Sequence, residues 1–267
     1  MDDCLYMAIE CPRSTSEPEA APTMPLTSLV LRRATAEGIG TAVLVATVVG
    51  SGIMATRLTQ DVGLQLLINA VATVASLAVL IWSLGPISGA HFNPAVTLVA
   101  ASRREMPWSE ASLYLLGQVL GGLAGAVIAH LMFDLAPILP STRVRSGQGQ
   151  WLGEVVATAG LLSLIGALTR TGKGHLGPGL VPAWICAAYF FTSSTSFANP
   201  AVTIGRAITD TFSGISPVSA PGFIVAQLVG AAFGAALTEL FYPRATTPEP
   251  LDLPGPVHTS VTADGSP

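Results

Sequence analysis

The sequence predicts an all-α membrane protein: six transmembrane helices and two re-entrant half-helices, arranged as an inverted 3+3 repeat. Three observations carry this. The composition is too apolar for a soluble surface, six runs are long enough to cross a bilayer, and one order of motifs occurs twice. Of 267 residues, 50% are hydrophobic and 10% are charged, against about a quarter charged in an ordinary soluble domain. The chain has 12 Lys and Arg and 16 Asp and Glu, and ten of these lie in 1–27 and 243–267. The remaining 18 must serve 215 residues. So few charges cannot cover a water-facing surface, which excludes a disordered chain, a nucleic-acid binder and a typical cytosolic enzyme. The 27 glycines point to helices packed closely within a membrane.

A bilayer core takes about 20 mostly apolar residues per helix. The runs are 34–55, 62–84, 111–133, 151–169, about 179–195 and 220–242. Residues 1–27, acidic and proline-containing, read as a disordered tail rather than a signal peptide, with Met24 as a plausible later start. Residues 243–267 read as a second tail. The membrane domain is then 28–242, with repeat 1 at about 34–133 and repeat 2 at about 151–242. With the N-terminus inside, the inner side holds Arg13, Arg32, Arg33, Arg103, Arg104, Arg170, Lys173 and Arg244, and the outer side Arg57, Arg143, Arg145 and Arg206. That bias places both termini in the cytoplasm. Cys4, Cys11 and Cys186 have neither disulfide nor metal spacing, and no cofactor is expected.

Two apolar segments, Pro94–Ala101 and Pro200–Ile208, are too short to cross. Each follows an Asn-Pro, one after span 2 and one after span 5. Broken hydrophobic pieces at matching places in two halves point to a transport site. The repeat itself is specific. Asn93-Pro94-Ala95-Val96-Thr97 recurs as Asn199-Pro200-Ala201-Val202-Thr203, Gln118, Gly121 and Gly125 as Gln227, Gly230 and Gly234, and Glu37 with Thr41 as Glu154 with Thr158. Three spans per half is an odd number, so the second half must enter from the opposite side.

Asn is a good N-cap, and Pro at the first helical position gives up an amide hydrogen that the helix would not have bonded. Two such helices entering from opposite faces would meet near the midplane. Each would bring a partial positive charge of about half a unit, which repels cations and discourages proton hopping. The Asn amides would donate to a permeant oxygen. Glu37 and Glu154 are carboxylates within apolar spans, costly and usually functional. Gln118 and Gln227 suit interhelical hydrogen bonding, and the paired glycines suit helix packing.

Ser88-Gly89-Ala90-His91-Phe92-Asn93-Pro94-Ala95-Val96-Thr97, the second Asn-Pro-Ala and the two glutamates together resemble the aquaporin/aquaglyceroporin family. The resemblance covers about 28–242. It implies that Glu37 and Glu154 brace the re-entrant loops, with a proton relay as the alternative. It places His91 near the cytoplasmic side of the pore, as a carbonyl contributor, a pH-sensitive side chain or a structural histidine. His130, His175 and His258 carry no usable signal. It also implies a homotetramer with one pore per chain in a bacterial-type inner membrane. Gly pairs on lipid-facing sides would be compatible with that assembly.

Most of the family has an arginine directly after the second Asn-Pro-Ala, and this chain has Val202 there. Family spacing places the other constriction positions at Thr73, Ala187 and Ser196, the span 5 count being open to a slip. All four side chains are small, so the expected filter is wide and favours solutes larger than water. Arg206, one helical turn beyond Val202, reads either as a positive charge at the outer vestibule or as a surface or capping arginine. Val202, with Ser196-Phe197-Ala198 before it and Asp210-Thr211-Phe212-Ser213-Gly214-Ile215 after it, is similar to the bacterial aquaglyceroporin subgroup linked to arsenic resistance. The resemblance implies a passive channel for small uncharged solutes: glycerol, urea, arsenite or methylated arsenicals, and water. The alternatives are a water-selective aquaporin, a secondary transporter, and an intramembrane serine protease built on Ser88 with His91 or His130.

Overall fold

The computed structural model describes residues 26–244, and those residues form helices and connecting segments without a β-strand. The tails lie almost wholly outside the described residues, and with them Cys4, Cys11, Arg13, Met24 and His258. The eight α-helices are α1 (Leu26–Leu58), α2 (Val62–Ser88), α3 (Pro94–Ser102), α4 (Trp108–Met132), α5 (Gln148–Arg170), α6 (Gly177–Phe191), α7 (Pro200–Ala207) and α8 (Ala220–Phe241). A 3-10 turn, Gly174–Leu176, leads into α6. The helices α3 and α7 are the two expected half-helices.

Helix ends follow local chemistry. Asp61 caps α2 by accepting from the Leu64 amide, 2.9 Å. Gly89 closes α2 with φ 88°, a left-handed cap that glycine adopts without a Cβ penalty. The helix α1 begins eight residues before the expected span, because Arg32 and Arg33 stop a hydropathy window but not a helix. Arg33 pairs there with Glu110 on the first turn of α4, 3.1 Å.

The fifth span differs most. Helices α1, α2, α4, α5 and α8 are long and apolar enough to cross a membrane. Helix α6 has 15 residues and ends at Phe191, four residues short of the expected boundary. Thr192 caps it by donating its Oγ1 to the carbonyl of Ala188, 2.7 Å, and 192–198 then runs as an irregular segment into the protein interior. Non-helical backbone at that depth needs protein or a water-filled cavity around it, and both surround this one.

Within each half the first and third long helices pack most closely, α1 on α4 and α5 on α8. A Cβ on Gly121 would meet the Gly38 carbonyl, and one on Gly125 that of Ala42. A Cβ on Gly230 would meet the Val155 carbonyl, and one on Gly234 that of Ala159. Both pairs therefore face inward within one chain. This corrects the lipid-facing expectation, since the small residues sit where two backbones touch. Gly230→Val should lower the thermal unfolding midpoint clearly below that of wild type, because overpacking costs about 1–3 kcal/mol even where neighbours adjust. An unchanged midpoint would contradict this close approach.

Both ends of the described chain lie on one face, here the terminal face. Arg244 donates to the Arg103 carbonyl there, 3.1 Å, and Arg103 and Arg170 flank Glu239 at 3.4 and 2.6 Å. The opposite face carries the loops after α4 and α7. Apolar side chains such as Trp82, 74% exposed, Leu240 and Phe233 cover the perimeter, as a bilayer requires.

Candidate solute pathway

The two half-helices meet tip to tip. Asn93 and Asn199 each cap their own helix: Oδ1 of Asn93 accepts from the Ala95 amide at 2.9 Å, and Oδ1 of Asn199 from Ala201 and Val202 at 2.9 and 3.2 Å. Pro94 and Pro200 take the first helical position. Each Asn then crosses to the other half. Nδ2 of Asn93 donates to the carbonyl of Ala198, and Nδ2 of Asn199 to that of Phe92, both at 2.7 Å. This reciprocal clasp uses one amide hydrogen of each Asn and leaves the second free. Both residues line a common cavity.

The loops before the clasp repeat at the level of the backbone. Gly89, Ala90 and Phe92 have φ of 88°, 51° and 47°, and Thr195, Ser196 and Ala198 have 63°, 51° and 48°. Left-handed conformations in non-glycine residues persist only where surrounding structure over-determines them. A buried carboxylate does so in each half. Glu37 accepts at Oε1 from Ser88 Oγ, 2.6 Å, and the His91 amide, 2.9 Å. Its Oε2 accepts from the Phe92 amide, 2.6 Å, and Gln118 Nε2, 2.8 Å. Glu154 accepts from the amides of Phe197 and Ala198 at 2.9 and 2.8 Å and from Gln227 Nε2 at 2.7 Å. Gln118 and Gln227 donate onward to Thr97 and Thr203, both at 2.9 Å. One Glu-Gln-Thr chain thus holds each loop to its neighbouring helices.

The cavity, about 400 Å³, runs from Arg103, Glu105 and Arg170 at the terminal face past the clasp to Arg206. One wall is the polar ridge of the re-entrant loops. Among the described residues, the carbonyls of Ala90, His91, Ser196 and Phe197 receive no hydrogen bond from the chain. The other wall is apolar: Leu77 and Ile81 of α2, Leu161 and Ile165 of α5, Val181 and Ile185 of α6.

Thr73, Ser196 and Val202 line the cavity as expected, and Ala187 does not. Ala187 is exposed on the outer side of α6. The lining positions of α6 are Gly177, Val181, Ile185 and Tyr189, four residues apart, so Tyr189 stands where a small residue was expected. Counting back from Asn199 misplaces the position by two residues, roughly 200° around a helix, because the irregular 192–198 segment sets the offset. Tyr189 is buried, and its Oη donates to Thr73 Oγ1 at 3.3 Å. At the positions expected to form the filter, the cavity lining therefore holds three small residues and one tyrosine.

His91 touches Thr97 Oγ1 through Nδ1 at 3.0 Å and meets the Tyr114 ring edge-on. Arg206 is no surface arginine: it is 3% exposed and lines the cavity. The pieces of a serine protease are not brought together. Ser88 is bonded to Glu37, and His130 lies at the far face with Ala136 and Thr209 as partners. Sequence reasoning missed Tyr189, Phe197 and the His130 clamp. Only Phe197 had a signal, since it stands in the second repeat where His91 stands in the first.

The family model for Major intrinsic protein matches this sequence over 26–196 and 185–263. Aquaglyceroporin AqpS of Rhizobium meliloti is 51% identical over 224 residues, covering 82% of this chain and 96% of the relative. Aquaporin NIP1-4 of Oryza sativa is 34% identical over 173 residues, 62% of each protein. The X-ray structure of the aquaglyceroporin from Plasmodium falciparum has the same fold, with a TM-score of 0.58 at 18% identity, over 81% of this chain and 96% of that one.

Proposed function

We infer from the cavity what this chain, which belongs to the major intrinsic protein family and is a multi-pass channel for small solutes rather than an enzyme, lets through. It passes small uncharged polyhydroxyl or amide solutes such as glycerol, urea and arsenous acid or its methylated relatives, together with water. The observation that carries this reading is the two-sided lumen. Asn93, Asn199 and loop residues whose carbonyls take no hydrogen bond from the described residues line it together with the apolar Leu77, Ile165 and Ile185, and a permeant meets both kinds of group. A solute with hydroxyls along one edge and carbon along the other exchanges its hydration shell for that lining at little cost. An ion does not, because burying an uncompensated charge is expensive. Val202 leaves the second half without the bulk of a guanidinium next to the clasp.

In this reading Thr73, Tyr189, Ser196 and Val202 form the filter. Asn93, Pro94, Ala95, Asn199, Pro200 and Ala201 form the central barrier, and Glu37, Glu154 and His91 support it. The terminal face is cytoplasmic, the membrane is a bacterial inner membrane, and four copies assemble with one pore each. Residues 28–242 form the channel domain and the tails lie in the cytoplasm. A water-selective channel is the second reading, and Tyr189 favours it, because its ring reaches across to Thr73 where a larger solute would pass.

Proteoliposomes shrunk by sorbitol, glycerol or urea separate the two. Re-swelling in glycerol and urea but not in sorbitol supports the first. Fast shrinkage with no re-swelling in glycerol leaves only water passage. Asn199→Asp should cut glycerol flux about tenfold, since it removes the donor to Phe92 and sets a negative charge on the midplane, a barrier of about 1.4 kcal/mol. Wild-type flux in both Asn199→Asp and Asn93→Asp would break the link between clasp and permeation.

A further inference from the structure

Arg206 lines the far mouth of the cavity, and together with Arg143 and Arg145 it forms a cluster that has no ion-pair partner among the described residues. Three successive carbonyls of the segment after α7 each receive one guanidinium. Nη1 of Arg143 donates to Phe212 at 2.6 Å, Nε of Arg206 to Ser213, and Nε of Arg145 to Gly214 at 2.9 Å. Arg206 and Arg145 also share the ring of Phe197, with Cζ at 3.3 and 5.3 Å from its centroid. Carbonyls orient these cations but do not neutralise them. Among the described residues none of the three forms an ion pair with a carboxylate. Asp210, the acid on this segment, accepts from the amide and hydroxyl of Thr142 at 2.9 and 3.0 Å. That donation holds its carboxyl below the usual range, so it stays ionised at the surface. Burial, then the neighbouring Arg143, pushes Arg145 down to about 10.

Arg206 is the one that matters for a ligand. Its guanidinium is buried, lines the cavity, and spends one hydrogen bond on the protein. Buried charges are ordinarily paired. Ser196, next in sequence to the Phe197 ring on which Arg206 stacks, lines the same cavity. The Ser196 hydroxyl is buried on the cavity and has no hydrogen-bond partner. A forked cation and an unused hydroxyl around one aromatic ring make a donor set for two oxygens on one small anion.

We propose that Arg206 and Ser196, with Arg145 behind the Phe197 ring, form a binding site for a small monovalent oxyanion of the carboxylate or sulfonate type in the far mouth. The anion is held and not conducted, because past Val202 it would have to dehydrate against Leu77 and Ile185. It therefore sits in the path of neutral solutes and competes with them. This last consequence rests on the channel reading above, whereas binding itself does not.

The probe is methanesulfonate, which stays ionised at every working pH. In detergent, the unfolding midpoint of the wild-type protein should rise saturably with methanesulfonate relative to the same concentration of chloride, as expected for a ligand that binds only the folded state. Arg206→Gln should abolish that difference, Ser196→Ala should weaken it, and Arg57→Gln, on the same face but outside the cluster, should keep it. Equal midpoints in the two salts, or an undiminished difference in Arg206→Gln, overturn the proposal. Should Arg206→Gln fail to fold, wild-type proteoliposomes decide. Methanesulfonate added on the far-face side should slow glycerol uptake about twofold at a concentration equal to its dissociation constant, and unchanged uptake overturns the proposal. Proteoliposomes that pass no glycerol at all would refute the reading that small solutes larger than water pass, while the unfolding measurement still tests the site.

Discussion

Replacing Val202 by arginine should reduce glycerol permeability by at least about tenfold while leaving water permeability within a small factor. Val202 lines the cavity beside the clasp and brings two methyl groups to the filter proposed with Thr73, Tyr189 and Ser196, which line the same cavity. An arginine there adds several heavy atoms and a fixed charge to a space already shared with the Tyr189 ring. It also stands one helical turn from Arg206, and like charges four residues apart repel. A tenfold loss corresponds to about 1.4 kcal/mol of added barrier, modest for such a change in volume. Stopped-flow light scattering on the two proteins measures both permeabilities. Equal glycerol rates would mean that the narrowest point lies elsewhere in the lumen.

The larger effect on the fold belongs to Glu37. Truncation to alanine takes the acceptor from the Ser88 hydroxyl and the amides of His91 and Phe92, and leaves Gln118 Nε2 with Thr97 alone. Each orphaned donor costs about 1–3 kcal/mol, a sum that rivals the whole stability of an ordinary domain. The left-handed residues Ala90 and Phe92 then lose what holds them. Glu37→Ala is expected to give little folded protein and no solute flux. Glu37→Gln, equal in size, should still lose most of the flux, because an amide turns one acceptor into a donor facing other donors. Near-normal unfolding and flux in Glu37→Ala would show that the loop is held by something other than this carboxylate.

Both predictions rest on features that were unevenly visible in the chain. The half-helices and their paired Asn-Pro tips could be read because a capping residue followed by proline has one physical use at a helix start, and two matched copies are hard to produce otherwise. The buried glutamates stood out because a carboxylate in an apolar run needs partners. Their partners did not, since peptide amides leave no mark in a sequence. Gln118 and Gln227 read as glue between helices and are that, each joining a buried carboxylate on one helix to Thr97 or Thr203 on another. Tyr189 escaped because its position depends on how many residues the irregular 192–198 segment consumes, which hydropathy does not encode. The inward face of the glycine pairs escaped because a period of four residues fixes one stripe of a helix but not the direction in which it points. Arg206 was ambiguous for a related reason: the carbonyl of Ser213 and the ring of Phe197 that bury it come from segments on either side of the half-helix.

The central claim is that the clasped tips of α3 and α7 admit neutral solutes along an amphipathic lumen while refusing charge. Its most direct test measures glycerol re-swelling and proton leak on a single preparation of vesicles loaded with a pH-sensitive dye. The account predicts glycerol re-swelling far faster than in protein-free vesicles, with dye decay under a pH gradient no faster than theirs. Vesicles that stay shrunken in glycerol, or whose proton leak rises in step with the amount of protein, would contradict it.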